Sequence, residues 1–223
     1  RVSPPLVFVC NPNNPTGVYL SKDEVRTLAA ALTGGPLLLD EAYVAFLDEP
    51  WNGLDLIESG RVIVVRSMTK DYGLAGLRLG YLVAHPDVVA AVRRLQPAWS
   101  VNAAAQAAGR AALADDGYLP RMREVVRAGK DALLAGLHEL GLEAHGGAAN
   151  FVLVRVGHAS GLRLHLLRRG FAVRDCTSFG LPEYIRIGVR YAEECRRLLA
   201  ALPEALAEVG DADGPAKLPV YST

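Results

Sequence analysis

The sequence predicts an α/β fold: a mostly parallel sheet in the first half of the chain, followed by a smaller α+β unit. Three observations lead there. Short all-apolar runs at Leu6–Cys10, Leu37–Leu39 and Val62–Val65 are separated by helical or turn-rich sequence, the pattern of strands buried on both faces of a parallel sheet. Clusters of Asn, Pro and Gly punctuate these runs at 11–17 and 34–36. Beyond Phe151 the order changes to strand, helix, strand, strand, helix, which is the signature of a separate α+β unit.

Each element has a local reason. Leu6–Cys10 is β-rich and is stopped by Asn11-Pro12-Asn13-Asn14-Pro15-Thr16-Gly17, so a strand gives way to a loop. Ser21-Lys22-Asp23-Glu24 is a capping box that opens a helix. Val25, Leu28, Ala29 and Leu32 then recur at helical spacing until Gly34-Gly35-Pro36. Leu37–Leu39 runs into Asp40, and Val62–Val65 forms the third strand. Gly80–Ala84 follows too closely for a helical crossover, so an antiparallel fourth strand is expected. After Pro86, helices are expected over 87–96, 102–114 and 117–140, the last bent or tightly packed at Gly129 and Gly136. Then come a strand at Phe151–Val156, a helix over 159–169, and strands at Phe171–Arg174 and Tyr184–Val189. A final helix over 192–208 carries Leu198, Leu199, Leu202 and Leu206 on one side. The expected division is a large domain over 1–115, a small α+β domain over 116–209 and a tail over 210–223.

Composition excludes several classes. The 24 Lys and Arg balance 24 Asp and Glu, which argues against nucleic-acid or membrane-surface binding driven by charge. No apolar run approaches the ~20 residues that span a bilayer. Cys10, Cys176 and Cys195 are odd in number and widely spaced, which points to a reducing, cytoplasmic setting without a disulfide frame. The five histidines do not cluster at metal-ligand spacing, so no metal is expected. Trp51 and Trp99 read as packing residues, and Asp115-Asp116 as a solvated helix end.

Chemistry concentrates where strands end. Val62–Val65 leads into Ser67-Met68-Thr69-Lys70, and Arg78 follows in Gly76-Leu77-Arg78-Leu79-Gly80. A lysine at the mouth of a sheet can form a Schiff base with an aldehyde cofactor, while hydroxyls and a guanidinium can hold that cofactor's phosphate. In open α/β sheets, functional residues gather at the carboxyl ends of parallel strands. Asn14, Asp40 and Lys70 all lie just past such ends. Residue type alone leaves alternatives open. Lys70 can be a solvated loop lysine, Asp40 a helix cap or surface acid, and Asn14 a turn residue. Tyr43 can be a core tyrosine, Arg78 a snorkelling strand residue and Arg174 an exposed strand-end charge. A carboxylate ending an apolar strand, however, is unfavourable to bury without a partner.

Three segments taken in order, Asn11-Pro12-Asn13-Asn14-Pro15-Thr16-Gly17, Asp40-Glu41-Ala42-Tyr43 and Ser67-Met68-Thr69-Lys70 with Arg78, resemble the pyridoxal-phosphate (PLP) enzymes of the class I/II aminotransferase family, fold type I. The resemblance extends to about residue 208 and implies roles. Lys70 would form the Schiff base and shuttle the substrate Cα proton. Asp40 would pair with the pyridine nitrogen, with Glu41 the lesser candidate. Asn14 and Tyr43 would hydrogen-bond the ring hydroxyl. Ser67, Thr69 and Arg78 would bind the phosphate, with Arg66 and Asp71 outside that cradle. Arg186 in Tyr184-Ile185-Arg186-Ile187 would clamp the substrate α-carboxylate, with Arg190 a weaker candidate. Arg174 resembles a second active-site arginine of the subgroup that handles phosphorylated substrates, and Asn150 matches a subgroup position without a definite role.

Within that family, the branches the sequence most resembles are histidinol-phosphate aminotransferase and threonine-phosphate decarboxylase. Gly73-Leu74-Ala75-Gly76-Leu77-Arg78 suits the first, whereas Thr69-Lys70-Asp71-Tyr72 and Arg174-Asp175-Cys176 lean to the second. The first-ranked expectation is a PLP-dependent aminotransferase acting on an amino acid or amino phosphate, as a cytoplasmic homodimer without nucleic-acid or membrane partners. A regulator that uses this fold to bind an effector is a lower-ranked alternative. A plain nucleotide-binding domain would need a Gly-rich strand-to-helix turn, and Gly73 and Gly76 fit neither common pattern. Family members carry further strands before the Asn-Pro segment, so the chain is expected to be a partial large domain that lacks its N-terminal part.

Overall fold

The computed structural model describes residues 4–210. Strands β1 (Val7–Cys10), β2 (Leu37–Asp40) and β3 (Val62–Ser67) pair in parallel, and β4 (Gly80–Val83) joins β3 antiparallel, in the order β1-β2-β3-β4. The antiparallel edge follows from the short β3–β4 connection, whose only regular structure is a 3-10 turn at Ala75–Leu77. Helix α1 (Lys22–Ala31) starts at the expected capping box: the Glu24 amide donates to Ser21 Oγ at 3.3 Å and the Ser21 amide donates to Glu24 Oε2 at 2.8 Å.

Val25 and Ala29 of α1 and Leu56 of a short helix α2 (Leu54–Glu58) pack on Leu37, Leu39, Val62 and Val64. A five-residue helix is too short to show a helical repeat, so α2 was not legible in the sequence. Cover on both sheet faces was expected, but the described residues are arranged unequally. Phe8, on the face away from α1 and α2, is 57% exposed, and its register partner Leu38 is half-buried. Trp51 packs as expected, stacked on Tyr19 with ring centroids 6.1 Å apart. Trp99 does not pack: it is 99% exposed. Its neighbours in sequence give no information about what faces its ring.

Three helices follow, α3 (Pro86–Leu95), α4 (Ala103–Leu113) and α5 (Tyr118–Glu139). The second sheet is antiparallel, in the order β5-β6-β8-β7, from β5 (Ala144–His145), β6 (Phe151–Arg155), β7 (Arg174–Asp175) and β8 (Tyr184–Gly188). Helices α5, α6 (Ala159–Arg168) and α7 (Ala192–Gly210) cover one face, burying Leu133, Leu162, Leu202, Val152, Ile185 and Ile187 in one core. In α5, tight packing rather than a bend explains Gly129: a Cβ there would lie 2.1 Å from the Arg190 carbonyl oxygen. The strand expected at Phe171–Arg174 is displaced to Arg174–Asp175. Its apolar start forms a connector instead, which sets Val173 in the core and packs the partly buried Phe171 against it. From residue 211 onward, the expected tail lies outside the described residues.

The two sheets meet at loops. The Ala148 amide donates to the Gly17 carbonyl at 2.8 Å, and within the second unit Lys130 Nζ of α5 holds the same loop by donating to the Gly147 carbonyl at 2.7 Å. Arg123 Nη1 of α5 donates to the Ala45 carbonyl at 3.3 Å, and Arg127 Nη2 pairs with Asp48 at 2.8 Å. A Cβ on Gly147 would lie 2.4 Å from the Gly17 carbonyl oxygen, so only glycine permits this approach. Gly147→Ala is therefore expected to cost about 2–3 kcal/mol of stability, since backbone cannot yield as a side chain can. Equilibrium unfolding in denaturant checks this, and an unchanged midpoint would refute the close approach.

Candidate active site

The turn after β2 separates two adjacent acids. Glu41 is 4% exposed and accepts from Arg66 Nε at 2.8 Å and Nη2 at 2.7 Å. Burial pushes its carboxyl pKa upward, and the Arg66 guanidinium opposes that shift. Asp40 is half-buried, and its Oδ1 accepts from the Ala42 amide at 2.9 Å. Cys10 lies opposite Asp40 in the β1–β2 register. Burial raises the Cys10 thiol pKa first, and the Asp40 charge adds to the shift. Consequently Asp40, not Glu41, lines the adjoining cleft of about 340 Å³.

Ser67, Thr69 and Arg78 line the same cleft. The Ser67 and Thr69 hydroxyls are 2.7 Å apart, and the Thr69 amide donates to Ser67 Oγ at 3.3 Å. Arg78 is exposed and left-handed, with φ 54°, and Nη1 donates to the Ala75 carbonyl at 3.2 Å. Arg66, set outside the cradle on sequence grounds, also lines the cleft while its charge is engaged by Glu41. One cleft thus combines a carboxylate with hydroxyl and guanidinium donors.

A second chain of contacts crosses between the sheets. Lys70 is exposed, and its Nζ lies 5.8 Å from the centroid of the Tyr43 ring. Tyr43 meets Phe151 edge-on, with centroids 5.2 Å apart at 88°. The Arg186 guanidinium lies 4.9 Å from the Phe151 centroid, and Nη1 donates to Asn14 Oδ1. Strand alternation sets this up: Ile185 and Ile187 point into the helical core, so Arg186 points to the opposite face. Burial raises the Tyr43 phenol pKa, and the Arg186 charge opposes it.

Arg174 is the register partner of Arg186 on the adjoining strand. It is exposed, donates to Ser178 Oγ at 2.8 Å and lies 5.5 Å from the Phe179 centroid. Like charges directly opposite one another disfavour a strand pair, so an anion between them would be favourable. Phe151 is the residue that sequence reasoning missed at this site. It opens an apolar strand and is 3% exposed, so its sequence signal is indistinguishable from that of a core residue. Among the described residues, no three His, Cys, Asp or Glu side chains gather to hold a metal, and no helix is long and apolar enough to cross a membrane.

Strand ends of the mixed sheet thus carry Asp40, the paired Ser67 and Thr69 hydroxyls and Lys70, and Arg186 of the second sheet reaches Asn14. The family model described as aminotransferase class I and II matches residues 2–202, and the chain belongs to that family. Histidinol-phosphate aminotransferase 1 of Thiobacillus denitrificans is 41% identical over 91% of this chain and 54% of its own. The crystal structure of histidinol-phosphate aminotransferase from Sinorhizobium meliloti, in complex with pyridoxal-5'-phosphate, superposes with a TM-score of 0.84 at 30% identity, covering 92% of this chain and 58% of that one. L-threonine-O-3-phosphate decarboxylase from Porphyromonas gingivalis gives a TM-score of 0.79 at 30% identity, covering 91% and 64%. The chain spans about half the length of the curated relatives it matches.

Proposed function

We propose that this chain carries the reactive lysine and most of the cofactor contacts of a PLP-dependent aminotransferase whose substrate is an amino phosphate of the histidinol-phosphate type. The observation that carries the reading is the cleft with a carboxylate and hydroxyl and guanidinium donors on its walls. PLP has the complementary ends, a basic pyridine nitrogen and a phosphate, so the donor set fits it. When bound, PLP supplies an electron sink for the substrate Cα carbanion.

The chain's own groups do the rest. Asp40 would face the pyridine nitrogen and keep it protonated. Ser67, Thr69 and Arg78 would hold the phosphate. Lys70 would anchor the cofactor and then take and return the Cα proton at Nζ. Tyr43 and the Nδ2 end of Asn14 would donate to the ring hydroxyl. Arg186 would grip the anionic group next to Cα, and Arg174 the substrate phosphate. Lys70 is exposed among the described residues. The reading includes a large domain over 1–115, a small domain over 116–209, a homodimer and a cytoplasmic location.

The likeness to the Porphyromonas decarboxylase supports a second reading, loss of the α-carboxylate from threonine phosphate. Both reactions would use the same residues and differ in which Cα bond breaks. The test uses the full-length protein loaded with PLP. Borohydride reduction and peptide mapping should place the pyridoxyl group on Lys70. Incubation with histidinol phosphate and a 2-oxo acid should then yield the corresponding amino acid. Release of CO₂ from threonine phosphate, without amino transfer, would instead establish the second reading. Scattered labelling that spares Lys70 would refute both.

A further inference from the structure

Among the described residues, Asn11, Glu41 and Thr69 are the buried polar side chains, and Glu41 alone of these carries a charge. Local contacts account for the other two. Asn11 accepts from the Leu20 amide at 2.6 Å, and Thr69 contacts Ser67. Glu41 instead reaches the next strand, where one carboxylate oxygen takes both Nε and Nη2 of Arg66. The Glu41 amide also donates to the Val65 carbonyl at 2.9 Å, extending the β2–β3 ladder past Asp40. On the far side, Gly80 sits against the Arg66 carbonyl, where a Cβ would approach to 2.8 Å.

The neighbours of this pair give it meaning. Asp40 immediately precedes Glu41, and Ser67 immediately follows Arg66. Asp40, Ser67 and Thr69 are walls of one cleft. We propose that the Glu41–Arg66 ion pair is a positioning device, a clamp that sets the spacing between the carboxylate of Asp40 and the hydroxyls of Ser67 and Thr69. This rests on the reading of that cleft as the PLP site. Neither clamp residue needs to touch the cofactor: each acts through the residue beside it. A group that must meet two ends of one rigid ring at once gains from walls held at fixed separation.

A merely stabilising ion pair makes a different prediction. Arg66 is itself exposed, so the burial lies on the Glu41 side: removing Arg66 leaves the buried Glu41 carboxylate uncompensated, whereas replacing both with apolar residues of similar size is often neutral for stability. The test therefore compares Glu41→Leu, Arg66→Met, Arg66→Lys and the double variant Glu41→Leu/Arg66→Met in the full-length protein. Melting temperature is read alongside the PLP dissociation constant of the folded fraction and the absorbance band of lysine-bound cofactor. The double variant is expected to melt close to the parent yet bind PLP at least about tenfold more weakly, equivalent to about 1.4 kcal/mol. The two single losses should not add, because they break one clamp. Arg66→Lys, which preserves charge but not the two-nitrogen grip, should also weaken binding.

Parental PLP affinity in a well-folded double variant would overturn the clamp. Weak binding in Arg66→Met with parental affinity in Glu41→Leu would overturn it too, by placing Arg66 on the phosphate itself. Failure of the parent to form a pyridoxyl adduct at Lys70 would refute the cofactor site, and the clamp with it, and is distinguishable from both other results.

Discussion

Replacing Lys70 by alanine is expected to abolish covalent capture of PLP and to lower amino transfer by on the order of 10,000-fold, since in the proposed reading one side chain would supply both the anchor and the proton carrier. Lys70 is exposed and its Nζ faces the Tyr43 ring, so its loss removes no core contact and the fold should persist. Single-turnover kinetics at saturating PLP, with circular dichroism as a control, separates chemistry from folding. Added primary amines should restore part of the rate by acting as free proton carriers. A variant that reacts within about tenfold of the parent would assign the proton transfer to another group.

Asp40→Asn is expected to reduce turnover by about 100- to 1,000-fold, the effect of removing one partner from a desolvated charge pair. The substitution is nearly isosteric, and the amide oxygen can still accept from the Ala42 amide as Asp40 Oδ1 does now. Stability should therefore change little, and the deficit should appear in the rate at saturating substrate. Asp40→Glu should recover part of it by restoring the charge. If Asp40→Asn turns over normally, the carboxylate does not support a protonated pyridine, and the cleft must be read in another orientation.

How legible these groups were depended on how local their signals are. Ser21 and Glu24 cap α1 as the sequence implied, because a capping box operates within one turn. The strands through Asp40 and Ser67 were legible as apolar runs with polar ends. Ile185 and Ile187 enter the helical core and leave the Arg186 guanidinium on the opposite face, as the period-2 geometry of a strand requires. By contrast, the α2 helix, the displaced β7 and the exposed Trp99 were missed. Each depends on what packs against a segment rather than on the segment itself.

Choosing between Asp40 and Glu41 illustrates the boundary. Two adjacent acids at a strand end are equivalent in composition, and only the resemblance ranked them. Arg66, on the neighbouring strand, engages Glu41 and leaves Asp40 on the cleft wall. Likewise nothing near Phe151 in the chain indicated that its ring would lie between Tyr43 and Arg186. The Arg186–Asn14 contact joins residues 172 positions apart.

The fold class and the strand-end placement of Asn14, Asp40 and Lys70 follow from short-range periodicity in the sequence, and the family from the resemblance its three motifs carry. Tertiary structure alone decided which acid faces the cleft, which aromatic ring connects the two sheets and how the arginines meet Asn14. Those outcomes depend on contacts between segments distant in the chain, whose energies arise only once both strands are in register and water has been excluded between them.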